Sequence, residues 1–156
     1  MTVEIERKFL VADSGFLAGL GGERLTQAYI ASTARATVRV RIAGARAWLT
    51  LKSRTEGFSR REFEYEIPPS HAEAMVAELC AGPVVDKTRY RVAHDAHVWD
   101  VDVFHGENAG LVLAEIELAR EDECFACPAW LGAEVSGDPR YYNSNLAQRP
   151  YRSWAV

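Results

Sequence analysis

Charged and apolar residues alternate with a period of two through most of the chain. Glu4, Glu6 and Lys8 share one face of an extended segment, and Val3, Ile5 and Phe9 share the other. The pattern recurs. Arg39 and Arg41 alternate with Val38, Val40 and Ile42, and Thr50 and Lys52 with Leu49 and Leu51. Glu62, Glu64 and Glu66 alternate with Phe63, Tyr65 and Ile67, and Lys87, Arg89 and Arg91 with Thr88, Tyr90 and Val92. Asp100 and Asp102 alternate with Val101 and Val103, and Glu115 and Glu117 with Ala114, Ile116 and Leu118. Period two marks strands that bury one face. Strands are predicted near 2–11, 24–32, 36–43, 47–54, 60–67, 85–93, 97–104 and 111–120. Turns at Gly19 to Gly22, Gly44, Gly57, Gly82-Pro83 and Gly106 to Gly110 separate them. Pro68-Pro69-Ser70 opens a predicted helix through Cys80, with Ser70 as N-cap and Ala72, Met75, Val76 and Leu79 as its apolar stripe. Shorter helical pieces are predicted near 13–20, 128–133 and 139–147.

The polar faces are mostly fully charged, and each strand is largely of one sign. A sandwich with its charged faces in water is the commoner outcome of such alternation. Segregation of Arg39, Arg41, Lys52, Lys87, Arg89 and Arg91 from the acidic strands favours a closed barrel with a charged lumen and helices packed on its apolar outside. The expected fold is therefore α+β but mainly β, an eight-stranded antiparallel barrel enclosing a tunnel. Its lumen must hold ions of both signs, or it would repel itself. Arg7 has the opposite parity and is expected as an outer salt-bridge partner.

The chain has 156 residues, 48% hydrophobic and 26% charged, which suits one domain over 1–156. Its net charge of -4 leaves no global basic footprint for nucleic acid, while clustered cations still permit a local positive field. No run reaches the length of a membrane span and no secretory leader is evident, so a cytoplasmic setting is expected. Cys80, Cys124 and Cys127 offer no disulfide framework. Cys124-Phe125-Ala126-Cys127 has CxxC spacing but lacks the second ligand pair of a structural zinc site, and is read as thiols buried or in a loop. His71, His94, His97 and His105 are scattered and read as surface or loop residues. Trp48, Trp99, Trp130 and Trp154 are read as packing.

Clustered guanidinium and ammonium groups suit a polyanion. Clustered carboxylates without thiols or imidazoles favour a hard divalent cation, Mg²⁺ or Mn²⁺. Together they point to a metal-bridged polyphosphate, with the metal able to orient or activate a water for attack on phosphorus. No Gly-rich phosphate loop is present.

The comb Glu4-x-Glu6-x-Lys8 resembles the ExExK signature of the CYTH superfamily, the triphosphate tunnel metalloenzymes. Arg39-x-Arg41, Lys52, Glu62-x-Glu64, Lys87-Thr88-Arg89-Tyr90, Asp102 and Glu115-x-Glu117 follow in the family's order, and Arg140 to Ala147 resembles its closing element. The resemblance implies an eight-stranded tunnel that binds a linear triphosphate and acts on it with divalent metal. Carried over, it makes Glu4, Glu6, Asp102, Glu115 and Glu117 metal-side carboxylates. Lys8, Arg39, Arg41, Lys52, Lys87 and Arg89 grip phosphate, and Glu4, Glu6, Lys52, Lys87 and Asp102 form the catalytic set. Tyr29, Glu62, Glu64 and Arg91 are further tunnel candidates. The implied reaction is hydrolysis of inorganic tripolyphosphate to pyrophosphate and phosphate. Alternatives are an adenylyl cyclase of the ATP-cyclising class (class IV), a nucleoside or thiamine triphosphatase, and a non-catalytic polyphosphate-binding module. The expected partner is a small polyanion rather than nucleic acid or membrane, and a homodimer is left open.

Overall fold

The computed structural model describes residues 3–154. The alternating segments form β1 (Val3–Val11), β2 (Glu23–Ser32), β3 (Ala36–Ala43), β4 (Arg46–Ser53), β5 (Ser59–Ile67), β6 (Val85–His94), β7 (His97–Phe104) and β8 (Val112–Glu117). All pair antiparallel, in the order β5-β4-β3-β2-β6-β7-β8-β1. β1 closes the ring. Its Val3–Ile5 lies against Ser59–Arg61 of β5, and its Glu6–Leu10 pairs with Leu113–Glu117 of β8. Closure leaves the sheet one inner and one outer face, and period two sends the charges inward.

The outer, apolar face then needs cover, and two clusters supply it, while a third closes one end of the lumen. Helix α1 (Pro69–Glu78) lays Ala72, Met75 and Val76 over Val40, Ala47, Ile42 and Leu49. Phe16, Phe125 and Trp130 cover Phe9, Trp99, Val101 and Ile116, with Trp130 stacked on Phe16 and edge-on to Trp99. The third cluster sits at one end of the lumen, where the inward positions turn apolar. Phe104 stands opposite Lys87 in register, and with Val85 and Leu113 it packs against Tyr141, Leu146 and Ala147 of the C-terminal segment. Leu146 and Ala147 belong to the short helix α2 (Asn143–Gln148), so this segment caps that end of the barrel.

Several local expectations are corrected. The predicted helical piece at 128–133 is instead strand β9 (Leu131–Glu134), paired with β1 beyond its contact with β5. Gly132 permits the pairing, because a Cβ there would lie 3.0 Å from the Leu10 carbonyl. Ser70 is not the N-cap of α1. Pro68 holds that position and Pro69 opens the helix, where its missing N–H costs nothing. Leu79 falls at the C-cap and is 56% exposed rather than part of the stripe. β8 stops at Glu117 because the Glu123 carboxylate takes the Ala119 N–H at 2.7 Å and turns the chain away. Of residues 13–20 only Gly15–Leu17 forms a turn of 3₁₀ helix. The expected strand start at residue 2 lies outside the described residues.

Cys124 and Cys127 are exposed and unbridged. His97 is not a loop residue; it sits in β7, half-buried, with Nε2 2.6 Å from Glu123. Arg7 forks onto Glu134 at 2.6 and 2.8 Å on the outside, as its parity predicts. No helix among the described residues is long and apolar enough to cross a membrane.

Leu146 is fully buried in the capping cluster. Leu146→Ala is expected to destabilise by about 2 to 5 kcal/mol in urea unfolding. A loss well under about 1 kcal/mol would show that the C-terminal segment contributes little to holding that end closed.

Candidate active site

The lumen holds a cavity of about 200 Å³ lined by seven basic and seven acidic side chains. Register explains the segregation of sign. β1 and β8 bring Glu6 opposite Glu117 and Lys8 opposite Glu115, and β7 adds Asp100 opposite Glu115. β3 carries Arg39 and Arg41 on one flank of β2, and β6 carries Lys87 and Arg89 on the other. β4 and β5 mix the signs. Lys52 reaches Glu4 at 3.0 Å and Glu62 at 3.3 Å, and Arg60 reaches Glu4 at 3.5 Å.

The acidic side is crowded. Burial, followed by the charges of Glu115 and Glu4, drives Glu6 well above the ordinary glutamate range, and Glu6 shares a hydrogen bond with Glu115. For Glu115 burial also acts upward, but Lys8 and Arg89 outweigh it and hold the group well below its usual value; its distance to Lys8 is 3.6 Å. Burial and neighbouring charge thus push the two in opposite directions, Glu6 toward its protonated form and Glu115 toward its charged one. Glu4 is likewise opposed by burial, yet Lys52, Glu62 and Arg60 bring it down to about 2. Burial raises Glu117, with Glu4 and Asp100 adding to it.

The basic side is under-compensated. Arg41 is pushed down to about 10 by burial, then by Arg39 and Arg89. Its Nε donates to Gln27 Oε1 at 3.2 Å, and among the described residues it has no carboxylate partner. Arg39 is buried, reaches Glu64 only at 3.7 Å, and leaves Nε without a partner. Lys87 is lowered to about 7 by burial, with Arg89 and Arg41 reinforcing it against the pull of Asp102.

A CYTH domain model matches residues 2–151. The chain belongs to the CYTH family. It is 44% identical over 154 residues to a relative from Acetivibrio thermocellus named inorganic triphosphatase, with 99% of each chain covered. It is 40% identical over 149 residues to an inorganic triphosphatase of Nitrosomonas europaea, covering 92% of this chain and 96% of that one. The crystal structure of an inorganic triphosphatase, 37% identical, superposes with a TM-score of 0.65 over 92% of this chain and 96% of the other.

Of the residues singled out by the CYTH resemblance, Glu4, Glu6, Lys8, Tyr29, Arg39, Arg41, Lys52, Glu62, Glu64, Lys87, Arg89, Glu115 and Glu117 converge on the cavity. Asp102 does not line it. It is fully buried on the inner face beneath the cavity, where Arg89 donates to both its oxygens at 2.7 and 2.8 Å and Lys87 stands at 2.7 Å. With both oxygens engaged by cations, Asp102 holds Lys87 and Arg89 in place. Burial opposes its ionisation, but Lys87 and Arg89 win and its pKa falls. Arg91 stands outside the central cavity at a neighbouring opening beside Trp48, largely exposed and 4.0 Å from Asp100.

Sequence reasoning missed Arg60, although it shares parity with Glu62 on β5. It also missed Gln27, whose neutrality hides it in a charge pattern, and Ser136, Tyr142, Asn143 and Ser144. Those four come from segments without period-two alternation; Tyr142, Asn143 and Ser144 lie in the closing element that the resemblance marked, without a role for any one of them.

Glu6 supplies a test with a definite sign. A carboxyl raised by folding keeps its proton in the native state after the unfolded chain has lost it. Its stabilising contribution is full below the ordinary glutamate pKa and is lost as pH rises through the folded value. Glu6→Gln should match the parent in thermal melts near about pH 4 and exceed it by several degrees near about pH 8. Equal melting differences at both pH values would show that Glu6 titrates normally.

Proposed function

We propose that this CYTH chain is a metal-dependent triphosphatase that hydrolyses inorganic tripolyphosphate to pyrophosphate and phosphate. The observation that carries this reading is the buried Arg41 guanidinium, without a carboxylate and flanked by Arg39 and Arg89, in one small cavity with the crowded acids Glu6, Glu115 and Glu117. A lumen with excess positive charge on one wall and excess negative charge on the other suits a polyanion carrying a dication. The names of the two relatives support the same substrate.

The donor set fits a hard metal ion. The cavity's acids offer only oxygen, and Glu6 stays protonated in part because Glu115 and Glu4 press on it, a repulsion that a dication relieves. Among the described residues no three His, Cys, Asp or Glu are already gathered to hold an ion by themselves. Substrate phosphate and water would therefore complete the shell, as suits Mg²⁺ or Mn²⁺. Glu4, Glu6, Glu115 and Glu117 are the residues that would hold it, and when bound it supplies neutralisation of phosphate charge and polarisation of a water.

The chain's own groups do the rest. Arg39, Arg41 and Arg89 fork onto phosphate oxygens, while Lys8, Lys52 and Lys87 act as point charges. Phosphate beside Lys87 favours its ammonium form, so substrate restores a proton that burial had loosened. Asp102 fixes Lys87 and Arg89, and Glu62 and Glu64 hold Lys52 and Arg39. Held in line, the chain needs little motion to reach the loose transition state of phosphoryl transfer. Tyr29 adds a hydroxyl near the Arg41 wall through Gln27. The expected setting is the cytoplasm.

Phosphate release from tripolyphosphate, pyrophosphate, ATP and thiamine triphosphate, each with Mg²⁺, Mn²⁺ or EDTA, tests the reading. Fast, EDTA-sensitive turnover of tripolyphosphate with slow ATP is expected. Cyclic nucleotide from ATP would make the protein a cyclase, and binding without turnover would make it a polyphosphate-binding module. Within the active enzyme, Lys52→Ala and Glu115→Gln should each lower kcat by about 100-fold or more. Unchanged rates would remove these residues from the site.

A further inference from the structure

Gln27 is fully buried on β2, facing the lumen between Arg41 of β3 and Val85 of β6. Its Oε1 accepts from Arg41 Nε at 3.2 Å, and its Nε2 donates to Asn143 Oδ1 at 3.1 Å and to the Tyr29 hydroxyl at 3.5 Å. Asn143 Oδ1 also accepts from Lys87 Nζ at 3.0 Å. The sense of this relay is fixed by its ends. Arginine and lysine only donate, so Gln27 must turn its oxygen to Arg41 and Asn143 its oxygen to Lys87, which leaves the Gln27 amide for Asn143.

The two ends are not equally secure. Lys87 has Asp102 at 2.7 Å as a second anchor. Arg41 has no such partner, and Gln27 provides the hydrogen bond that its side chain makes among the described residues. Arg39 and Arg89 repel it, while Asp102 and Glu64 attract it.

We propose that Gln27 is the positioning residue for Arg41. It occupies Nε so that the two terminal nitrogens present an end-on fork to a substrate phosphate, and Asn143 of the C-terminal segment locks its orientation. This rests on the triphosphate reading above, and it makes docking of the C-terminal segment a condition for a competent phosphate grip.

The test is a double-mutant cycle on tripolyphosphate affinity, measured by titration calorimetry in EDTA so that turnover does not intervene. Gln27→Leu should weaken binding about tenfold in the parent, the usual scale of one hydrogen bond to a charged group. In the Arg41→Ala background the same change should cost less than about twofold, because its effect runs through Arg41. Merely structural damage would cost the same in both backgrounds, and that additivity would overturn the proposal, as would an unchanged affinity in Gln27→Leu alone. Should Gln27→Leu not fold, Gln27→Asn, whose shorter amide cannot reach Arg41, carries the same cycle. A parent protein that binds tripolyphosphate neither in EDTA nor with Mg²⁺ would overturn the triphosphate reading and the relay together, whereas binding with additive losses overturns only the relay.

Discussion

Ions enclosed by a closed sheet must come close to cancelling, and the rest of this structure follows from that condition. Seven basic and seven acidic side chains share the lumen. Desolvating them costs several kcal/mol each, which only their mutual attraction and hydrogen bonding offset. Because the charged face is inside, the apolar face is outside, and α1 and the aromatic group around Trp99 and Trp130 cover it, while the C-terminal segment caps the lumen where its inward positions turn apolar. Asp102 shows how tightly the balance is drawn. It lies on the inner face beneath the cavity and neutralises the charged heads of two cations, Lys87 Nζ and the Arg89 guanidinium, that also line the cavity.

Cancellation is global and not local. Near Arg41 positive charge exceeds its partners, and near Glu6 carboxylates outnumber theirs. The protein answers each excess by weakening the charged form, loosening the proton on Lys87 and retaining one on Glu6. Both adjustments run against maximal stability, and both would be reversed by a ligand carrying phosphate oxygens and a cation. The lumen is thus biased toward the composition of what it is proposed to bind.

The barrel was legible because strict alternation leaves few ways to fold. Strand faces, the outward parity of Arg7 and most lumen residues followed from period two alone. What failed had no such periodicity. β9 depends on Gly132 fitting against the Leu10 backbone, a tertiary contact that no local pattern announces. Asn143 and Tyr142 reach the lumen because a distant segment folds back over the barrel end. Asp102 has the right parity, yet parity cannot tell a carboxylate that lines the cavity from one buried beneath it against Arg89 and Lys87. Gln27 was invisible for the opposite reason: it works by being neutral among charges.

The period-two wall also behaves as a reading frame. Inserting or deleting one residue within a strand would exchange every later side chain between lumen and outer cover, placing Glu and Arg in hydrocarbon and Leu and Val among ions. β2 contains a tolerated exception, a register shift between Tyr29 and Ala31, only three residues before the strand ends at Ser32. There the frame is broken after its last lumen residue, where almost nothing remains to be misread. Changes of length in such a chain are therefore confined to its turns and strand ends, while the central strands can change only by exchanging like for like.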